Sequence, residues 1–322
     1  MWKPLHLVPA NTRIDFMRFH KLTFILSVVM VLGSIGLVFG KGLNFGIDFA
    51  GGIVMEVKSP TAIADLAAMR AGLNGLELGE ISLQEFGAPD IVLVRIPQQA
   101  EGEGGTQAAV AKIRATLGDR WEYRRTETVG PKVGGELVTS ALIAFLFAMG
   151  GIMAYVWFRY EWQFGINALL ALVHDTVTTV GLFALTGMEF NLTTVAAVLT
   201  IAGYSVNDTV VIYDRIRYDL RRFKTMPLRD LINQSLNTTL SRTTVTSGLT
   251  LLSVVALALW GGEVIRGFAI AMVWGIVIGT YSTICVATPL LIYMKLRRRG
   301  GKGSKESGEA PGETSGALKK PA

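Results

Sequence analysis

The sequence predicts an α-helical polytopic membrane protein with six transmembrane helices and one α+β, ferredoxin-like extracytoplasmic domain. Three observations support this fold class. Half of the 322 residues are hydrophobic and only 17% are charged, whereas about a quarter are charged in a typical soluble protein. Six stretches are long and apolar enough to span a bilayer, which takes about 20 residues. Residues 41–135, between the first two spans, have instead the length and polarity of a small water-exposed domain.

The six predicted spans divide the chain. They cover about residues 22–39, 137–158, 162–185, 190–213, 238–260 and 264–294. No cleavage pattern follows Phe39, so the first span is interpreted as a retained anchor and not as a signal peptide. The predicted parts are therefore an N-terminal cytoplasmic flank (1–21), the first span (22–40), the outside domain (41–135), five further spans (136–296) and a cytoplasmic tail (297–322). The Gly-, Ser-, Lys- and Glu-rich composition of the tail is typical of disorder.

Basic residues predict the orientation of the spans. They are concentrated in the N-terminal flank, the turn between spans two and three, the loop between spans four and five, and the C-terminal flank: Lys3, Arg13, Arg18, Lys21, Arg159, Arg215, Arg217, Arg221, Arg222, Lys224, Arg229, Lys295, Arg297, Arg298 and Arg299. With six spans all four segments lie on one side, which the positive-inside rule identifies as cytoplasmic. Topology and anionic lipid explain this charge better than a nucleic-acid partner does.

The outside domain has the element order of a split βαβ unit. Strands are predicted at 53–58, 81–86, 91–96 and 121–129, with helices at 61–73 and 106–117. Thr61 is a candidate N-cap, and residues 87–90 are a predicted turn. The order β-α-β-β-α-β is that of ferredoxin-like domains, which host many functions. The sequence here contains no metal-binding cluster and no nucleophile paired with a base, which favours a binding or mechanical surface.

Two ionisable residues at membrane depth are the main functional candidates, because a charge there is costly. Asp208 lies in the fourth span, and Arg242 lies near the start of the fifth, within a segment rich in Ser, Thr, Asn and Gln. The two spans are antiparallel, so these side chains can meet at a similar depth. Burial favours a protonated carboxyl group, whereas a nearby guanidinium favours the carboxylate. The pair is therefore a candidate proton switch; the alternative is a static ion pair that fixes helix packing.

Four further polar residues are possible supports for this pair. His174 and Asp175 lie in the third span; as neighbours they are predicted to point to different faces and to form no relay by themselves. His174 is alternatively a satisfied core histidine. Tyr204 shares the helical face of Asp208, and Asn207 precedes it.

Several function classes are disfavoured by what the sequence lacks. It has no phosphate-binding loop, so ATP is not the expected energy source. It has no metal-ligand grouping, and no cofactor is expected. Its single cysteine, Cys285, cannot form an intrachain disulfide. Ser205 with His174 only weakly suggests an intramembrane protease, which would leave Asp208 and Arg242 unexplained. An enzyme is therefore not expected.

Five segments carry a resemblance to a known family. They are residues 46–52 (GIDFAGG), 160–162 (YEW), 173–175 (VHD), 201–217 (IAGYSVNDTVVIYDRIR) and 233–246 (NQSLNTTLSRTTVT). Together with six spans and one outside domain, they resemble the SecF branch of the SecD/SecF family, within the resistance-nodulation-division (RND) superfamily. The resemblance covers residues 1 to about 296, and its most specific part is residues 201–217.

The resemblance implies a role in protein export across the bacterial cytoplasmic (inner) membrane. Such subunits pair with SecD and work with the SecYEG channel and YajC. After the SecA motor starts export, they are thought to use the proton motive force to pull or release the translocating polypeptide. The family's transmembrane Asp and Arg fall on Asp208 and Arg242. The alternatives are half of a proton-coupled small-molecule or lipid exporter of the same superfamily, and a passive scaffold.

Overall fold

The computed structural model describes residues 9, 12–99, 102–294 and 296. The helices are α1 (His20–Gly40), α2 (Ile47–Ala50), α3 (Leu66–Asn74), α4 (Gly102–Leu117), α5 (Pro131–Arg159), α6 (Trp162–Thr186), α7 (Leu192–Arg222), α8 (Leu228–Trp260), α9 (Glu263–Ser282) and α10 (Thr288–Leu290). The strands are β1 (Asn44–Phe45), β2 (Gly52–Lys58), β3 (Ser82–Phe86), β4 (Ala88–Ile96), β5 (Glu122–Val129) and β6 (Glu189–Phe190). A π-helical turn, Thr283–Ala287, follows α9.

The structure confirms a polytopic membrane protein. Among the described residues, six helical segments are long and apolar enough to cross a membrane. They correspond to the six predicted spans, but α7 and α8 extend well beyond the predicted ends at residues 213 and 238. At about 1.5 Å per residue, the 31 residues of α7 measure ~46 Å, against ~30 Å for a bilayer core. Hydropathy identifies the apolar part of a helix, whereas the helix itself continues through charged residues.

Helices α6, α7 and α9 form the centre of the bundle. In their most apolar stretches 50–56% of the residues are buried, compared with 11% for α1 and α8 and none for α5. Small residues bring the central helices close together: a Cβ on Gly275 of α9 would overlap the side chain of Ile201 on α7. At Gly279, one turn later, the Cβ of Ser205 lies only 3.2 Å from that position. Such contacts are typical of helix packing in membranes.

The outside domain is a four-stranded antiparallel sheet covered on one face by α3 and α4. The strand order is β3-β4-β2-β5. Its core joins alternate residues of β2 and β4 to the buried sides of both helices, including Ile53, Met55, Val94, Met69 and Ile113. The alternation of buried and less buried residues along β2 leaves the opposite face of the sheet directed away from these helices.

Three predicted boundaries in this domain were wrong. Helix α3 begins later than predicted because Asp65, not Thr61, is its N-cap and accepts a hydrogen bond from the backbone of Ala68 at 3.0 Å. The predicted turn at 87–90 is shorter, since Phe86 already pairs with Ala88. Gly87 alone makes the turn, with a φ of 76° that suits glycine. Helix α4 begins at residue 102, earlier than the predicted 106.

The chain between α1 and the outside domain contacts the outer end of the bundle. Strand β1 pairs in parallel with β6, which lies between α6 and α7. The Asp48 carboxylate of α2 accepts a hydrogen bond from the backbone N–H of Leu192, the first residue of α7, at 2.9 Å. Arg95 of β4 forms an ion pair with Glu189 of β6. The domain is therefore joined to the outer end of the bundle by side-chain contacts as well as by its chain connections to α1 and α5.

The opposite end of the bundle gathers the N-terminal flank, the start of α8 and the last helical turns. The backbone N–H of Met17 donates to Asn233 at 3.0 Å, and that of Ile14 donates to Asn237 at 2.8 Å. His20 is hydrogen-bonded to the Tyr293 hydroxyl at 2.8 Å. These segments share one side, as the distribution of basic residues predicted. The predicted tail and the basic residues from Lys295 and Arg297 onward lie outside the described residues.

A polar centre between the membrane helices

Asp208 is buried in the bundle and bonded through hydroxyl groups. Its side chain on α7 is only 4% exposed. The Ser247 hydroxyl of α8 donates to its Oδ2 at 3.0 Å, and the Thr280 hydroxyl of α9 donates to Ser247 at 3.0 Å. Three helices therefore meet at this carboxyl group through a short chain of hydrogen bonds.

Arg242 lies on α8 but does not contact Asp208. It interacts with the Asp208 carboxyl group electrostatically, without a hydrogen bond or ion pair between them in the described part of the chain. The residue itself is exposed. It precedes Ser247 by five positions, which is about 7.5 Å along the helix axis. The two candidates are thus on adjacent helices, separated in this structure.

Asp175 is the most completely bonded carboxyl group in the described part of the bundle. It is fully buried on α6. The hydroxyls of Ser205 on α7 and Ser282 on α9 both donate to its Oδ2, at 2.6 and 2.8 Å. Ser205 lies on α7 about one turn before Asp208, but its hydroxyl bonds Asp175. Asp175 therefore connects the three central helices.

His174 contacts Asp175 directly. Its Nδ1 lies 3.0 Å from Oδ1 of Asp175, so the prediction that these neighbours face apart was wrong. The aspartate side chain is short enough to turn back toward the adjacent imidazole. The Nε2 atom of His174 is buried and has no hydrogen-bond partner among the described residues. The Tyr281 ring lies 6.2 Å from the imidazole ring.

The other two predicted supports do not contact Asp208. Tyr204 packs against an apolar cluster that includes Phe183, Ile201 and Met272. Its hydroxyl is buried, with no partner within the described ranges. Asn207 is exposed on the outer surface of α7. Any contribution of these two residues would therefore be indirect.

Sequence reasoning missed the hydroxyl donors on α8 and α9. Ser247, Thr280 and Ser282 supply hydrogen bonds to the two carboxyl groups or to each other. Thr283, the next residue, bonds the Thr209 hydroxyl of α7 at 2.9 Å. The available signal was the polar run at 280–283, which interrupts an otherwise apolar final span. The π-helical turn starts at this run, and π-turns are frequent at functional sites.

The polar centre has the composition of a proton site more than that of a metal site. No group of three or more His, Cys, Asp or Glu side chains with metal-binding geometry exists in the part of the chain that the structure describes. Around Asp208 and Asp175 the described residues place these two carboxyl groups, one imidazole and a set of hydroxyls. These groups accept, donate and exchange protons without any other reactant.

Comparisons with known proteins identify families and relatives that this chain resembles. The family model described as "Protein export membrane protein SecD/SecF, C-terminal" matches residues 109–297, and "SecD/SecF GG Motif" matches residues 36–59. The protein translocase subunit SecF of Rhodobacter capsulatus is 46% identical over 313 residues, covering 92% of this chain and 94% of that protein. The same subunit of Rickettsia felis is 43% identical over 297 residues, covering 92% and 96%.

Two solved structures also match. The crystal structure of SecDF, a translocon-associated membrane protein from Thermus thermophilus, has a TM-score of 0.79 and 34% identity. SecDF in its super-membrane-facing form has a TM-score of 0.67 and 35% identity. Each match covers 91% of this chain but only 40% of the SecDF chain, so this chain spans less than half of those proteins.

Proposed function

Because the chain belongs to the SecD/SecF family of protein-export membrane proteins, we propose that it is a proton-coupled subunit of the Sec machinery. Together with SecD it uses the proton motive force to promote the late translocation and release of polypeptides after SecA has started export. It lies in the bacterial cytoplasmic membrane with both termini in the cytoplasm. The concentration of basic residues at one end of the bundle supports this orientation.

The observation that carries the proposal is the environment of Asp208. A buried charge in a membrane costs at least ~2.5–3.5 kcal/mol, and no cation contacts this carboxyl group in the described structure. A static ion pair would hold Arg242 against it. The separation of Arg242 instead supports a pair that forms and breaks, as a switch requires. Hydroxyl donors from Ser247 and Thr280 can serve either protonation state.

The coupling then follows from simple electrostatics. With Arg242 withdrawn, a proton neutralises Asp208; when the guanidinium approaches, the carboxylate is favoured and the proton leaves. Moving one charge through 100 mV supplies about 2.3 kcal/mol per proton. The approach and withdrawal of Arg242 move α8 relative to α7. Because the Asp48–Leu192 hydrogen bond joins α7 to the outside domain, this movement is transmitted to that domain.

The outside domain is the mechanical surface in this proposal. Its strand order and two covering helices support assignment to the ferredoxin-like class. Two SecDF structures, each matched over 91% of this chain at almost equal identity, have TM-scores of 0.79 and 0.67. This difference supports the idea that homologous chains adopt more than one arrangement.

SecD is the proposed principal partner. SecDF proteins are more than twice as long as the region this chain matches, which supports a second half supplied by another polypeptide. SecYEG, YajC, SecA and the translocating polypeptide are further proposed partners, on the basis of family membership. The second candidate function is that of half of a small-molecule or lipid exporter. The relatives that match this chain over nearly its whole length, however, are protein translocase subunits.

Substitution of Asp208 tests the proposal. In membranes reconstituted with SecD and the channel, Asp208→Asn should abolish the proton-gradient-dependent part of export while SecA-driven initiation and co-purification with SecD persist. Asn207→Ala, next to it on the exposed side of α7, is the matched control and should retain export. Full gradient-dependent export by the Asp208 variant would refute the proposal and favour a passive scaffold.

A further inference from the structure

We propose that Asp175 and His174 form a second proton-binding site, separate from Asp208, in which one proton is shared between the carboxyl and the imidazole. The site deepens the proposed function, because it adds a second position at which the bundle takes up a proton. It rests on its own geometry, however, and does not require Arg242 to move.

The first argument is charge balance. Asp175 is fully buried, and no Lys or Arg contacts it among the described residues. His174 is the titratable group in contact with it. The elements packed against α6 carry further titratable groups in their membrane-spanning parts, namely Asp208 and Tyr204 on α7, Tyr281 on α9 and Cys285 in the π-turn. Helix α1 has none between Lys21 and Lys41, and α5 has none between Glu136 and Tyr155. An unpaired charge at this depth is costly. Electroneutrality therefore requires one proton, either on Asp175 or on His174.

The second argument is the geometry of the pair. The imidazole Nδ1 is 3.0 Å from Oδ1 of Asp175, within hydrogen-bond range. The other carboxyl oxygen accepts from Ser205 and Ser282, which fixes the carboxyl plane. A proton on Oδ1 can thus pass to Nδ1, giving carboxylate and imidazolium; the reverse transfer restores two neutral groups. No other reactant is needed.

The third argument is an exit for the proton. Nε2 of His174 is buried without a partner in the described structure. On α6 the residues toward its N-terminus include Asn167 and Gln163, four positions apart and both buried. The Asn167 Oδ1 atom also has no partner there. Buried polar atoms of this kind are typical positions for bridging water. Residue 163 lies about 16 Å from residue 174 along the helix axis, so Gln163 and Asn167 lie between the helix end beside Arg159 and the imidazole.

The fourth argument is the connection to Asp208. Ser205 lies one turn before Asp208 on α7, and Ser282 follows Thr280 on α9, which belongs to the hydroxyl chain of Asp208. Any shift of α7 relative to α9 that alters one carboxyl site therefore alters the other. The π-turn after Ser282 is an independent sign of function at this level.

The test is an infrared pH titration of the complex with SecD. The Asp208→Asn variant should keep one pH-dependent C=O stretching band of a buried carboxylic acid, and the additional Asp175→Asn change should remove it. His174→Gln should shift the pH at which the band titrates, because the shared proton loses its second acceptor. Identical titrations of the single and double variants would overturn the inference.

Two comparisons separate this outcome from others. If the site were only a helix clamp, the amide oxygen introduced by Asp175→Asn would still accept from both serines and gradient-dependent export would persist; the proposal expects its loss with assembly intact. If the double variant does not assemble, Ser205→Ala and Ser282→Ala are titrated in the Asp208→Asn background, and an unchanged band in both would overturn the site. A remaining Asp175 band with normal export by Asp208→Asn would refute the proposed function alone.

Discussion

The three central helices and the three peripheral helices of the bundle differ in how much of their surface is buried within the chain. Around half of the most apolar stretch of α6, α7 and α9 is buried within the chain, whereas α5 has none buried and α1 and α8 have 11%. The central helices contact one another through glycine and serine, while α5 presents Phe147 and Phe158 outward at 83% and 98% exposure. The central helices α6, α7 and α9 are thus packed by the chain itself. The outer faces of the peripheral helices α1, α5 and α8 are left to contact lipid or another protein.

The candidate switch lies across the boundary between these two regions. Asp208 is on the central helix α7, and Arg242 is on the peripheral helix α8. Asp175, by contrast, lies wholly within the centre and bonds only to central helices. In the proposed mechanism, Asp208 and Arg242 form and break their contact where the helices are less tightly packed, whereas Asp175 lies where they are tightly packed.

The largest expected effect is at this boundary. Arg242→Met should eliminate gradient-dependent export, since no guanidinium then returns to favour the Asp208 carboxylate. Arg242→Lys keeps a cation and should retain part of the activity. Export is measured with SecD in vesicles with and without a proton gradient. Wild-type export by the methionine variant would show that Arg242 has no part in the mechanism. It would also show that the boundary between central and peripheral helices is not where coupling occurs.

The next largest effect compares one glycine from each region. Gly275→Ala places a methyl group against Ile201 and should lower the free energy of unfolding by about 1–3 kcal/mol. Gly150→Ala on α5 meets nothing within 4 Å and should be neutral or stabilising by roughly 0.5–1 kcal/mol. Thermal unfolding in detergent measures both, and equal melting temperatures would contradict the division into centre and periphery.

A smaller effect is expected on the outer face of α5. Phe147→Ala should weaken association with SecD about tenfold, corresponding to roughly 1.4 kcal/mol, without changing the unfolding temperature of the isolated chain. Affinity is measured by titrating labelled SecD in nanodiscs. If the substitution lowers the unfolding temperature and leaves the affinity unchanged, this face packs within the chain and is not an interface.

The smallest effect concerns the contact between the outside domain and the bundle. Burial raises the pKa of Glu189 above its usual 4.5, although the Arg95 guanidinium opposes the shift and Asp48 adds to it. The docked state therefore binds a proton more readily than an exposed glutamate does. The contribution of this proton to the stability of the docked state is complete at a pH below the usual pKa of Glu189. It is lost as the pH rises through the raised pKa of that group.

Docking should accordingly strengthen slightly on acidification. Spin labels on the outside domain and on the α6–α7 connection should report a larger docked fraction at lower pH. Glu189→Gln cannot ionise and should remove this dependence. Arg95→Gln leaves the half-buried carboxylate without its cation and should weaken docking at neutral pH by about 0.5–1 kcal/mol. A pH dependence that persists in Glu189→Gln would assign it to another group.

The sequence predicted features that depend on local composition and missed those that depend on packing. Six spans followed from hydropathy, and the sidedness of the basic segments followed from charge. The end of α7 did not, because a helix leaves the membrane without a change in its backbone. Asp65 caps α3 and Thr61 does not, although both residue types cap well. The Thr61 hydroxyl donates to the Ile63 carbonyl, and the Ala64 N–H donates to the distant Pro89 carbonyl at 2.9 Å, so the chain is not helical before Asp65.

The site shows the same limit more clearly. Asp208 and Asp175 were identifiable because charge in an apolar run is rare. Their partners Ser247 and Ser282 lie 39 and 107 positions away along the chain. Hydroxyl residues are common in membrane helices and become informative only when packing brings them to a carboxyl group. Sequence reasoning therefore located the acids and not the environment that tunes them.

The hydrogen bond from Leu192 to Asp48 links the outer end of α7 directly to the segment that enters the outside domain. From residue 192 to residue 208 the helix is continuous, a distance of about 24 Å. A loop of that length would absorb an axial displacement, whereas a continuous helix delivers it from one end to the other nearly undiminished. In the proposed mechanism, an axial displacement of α7 at the level of Asp208 would therefore reach the base of the outside domain almost unchanged.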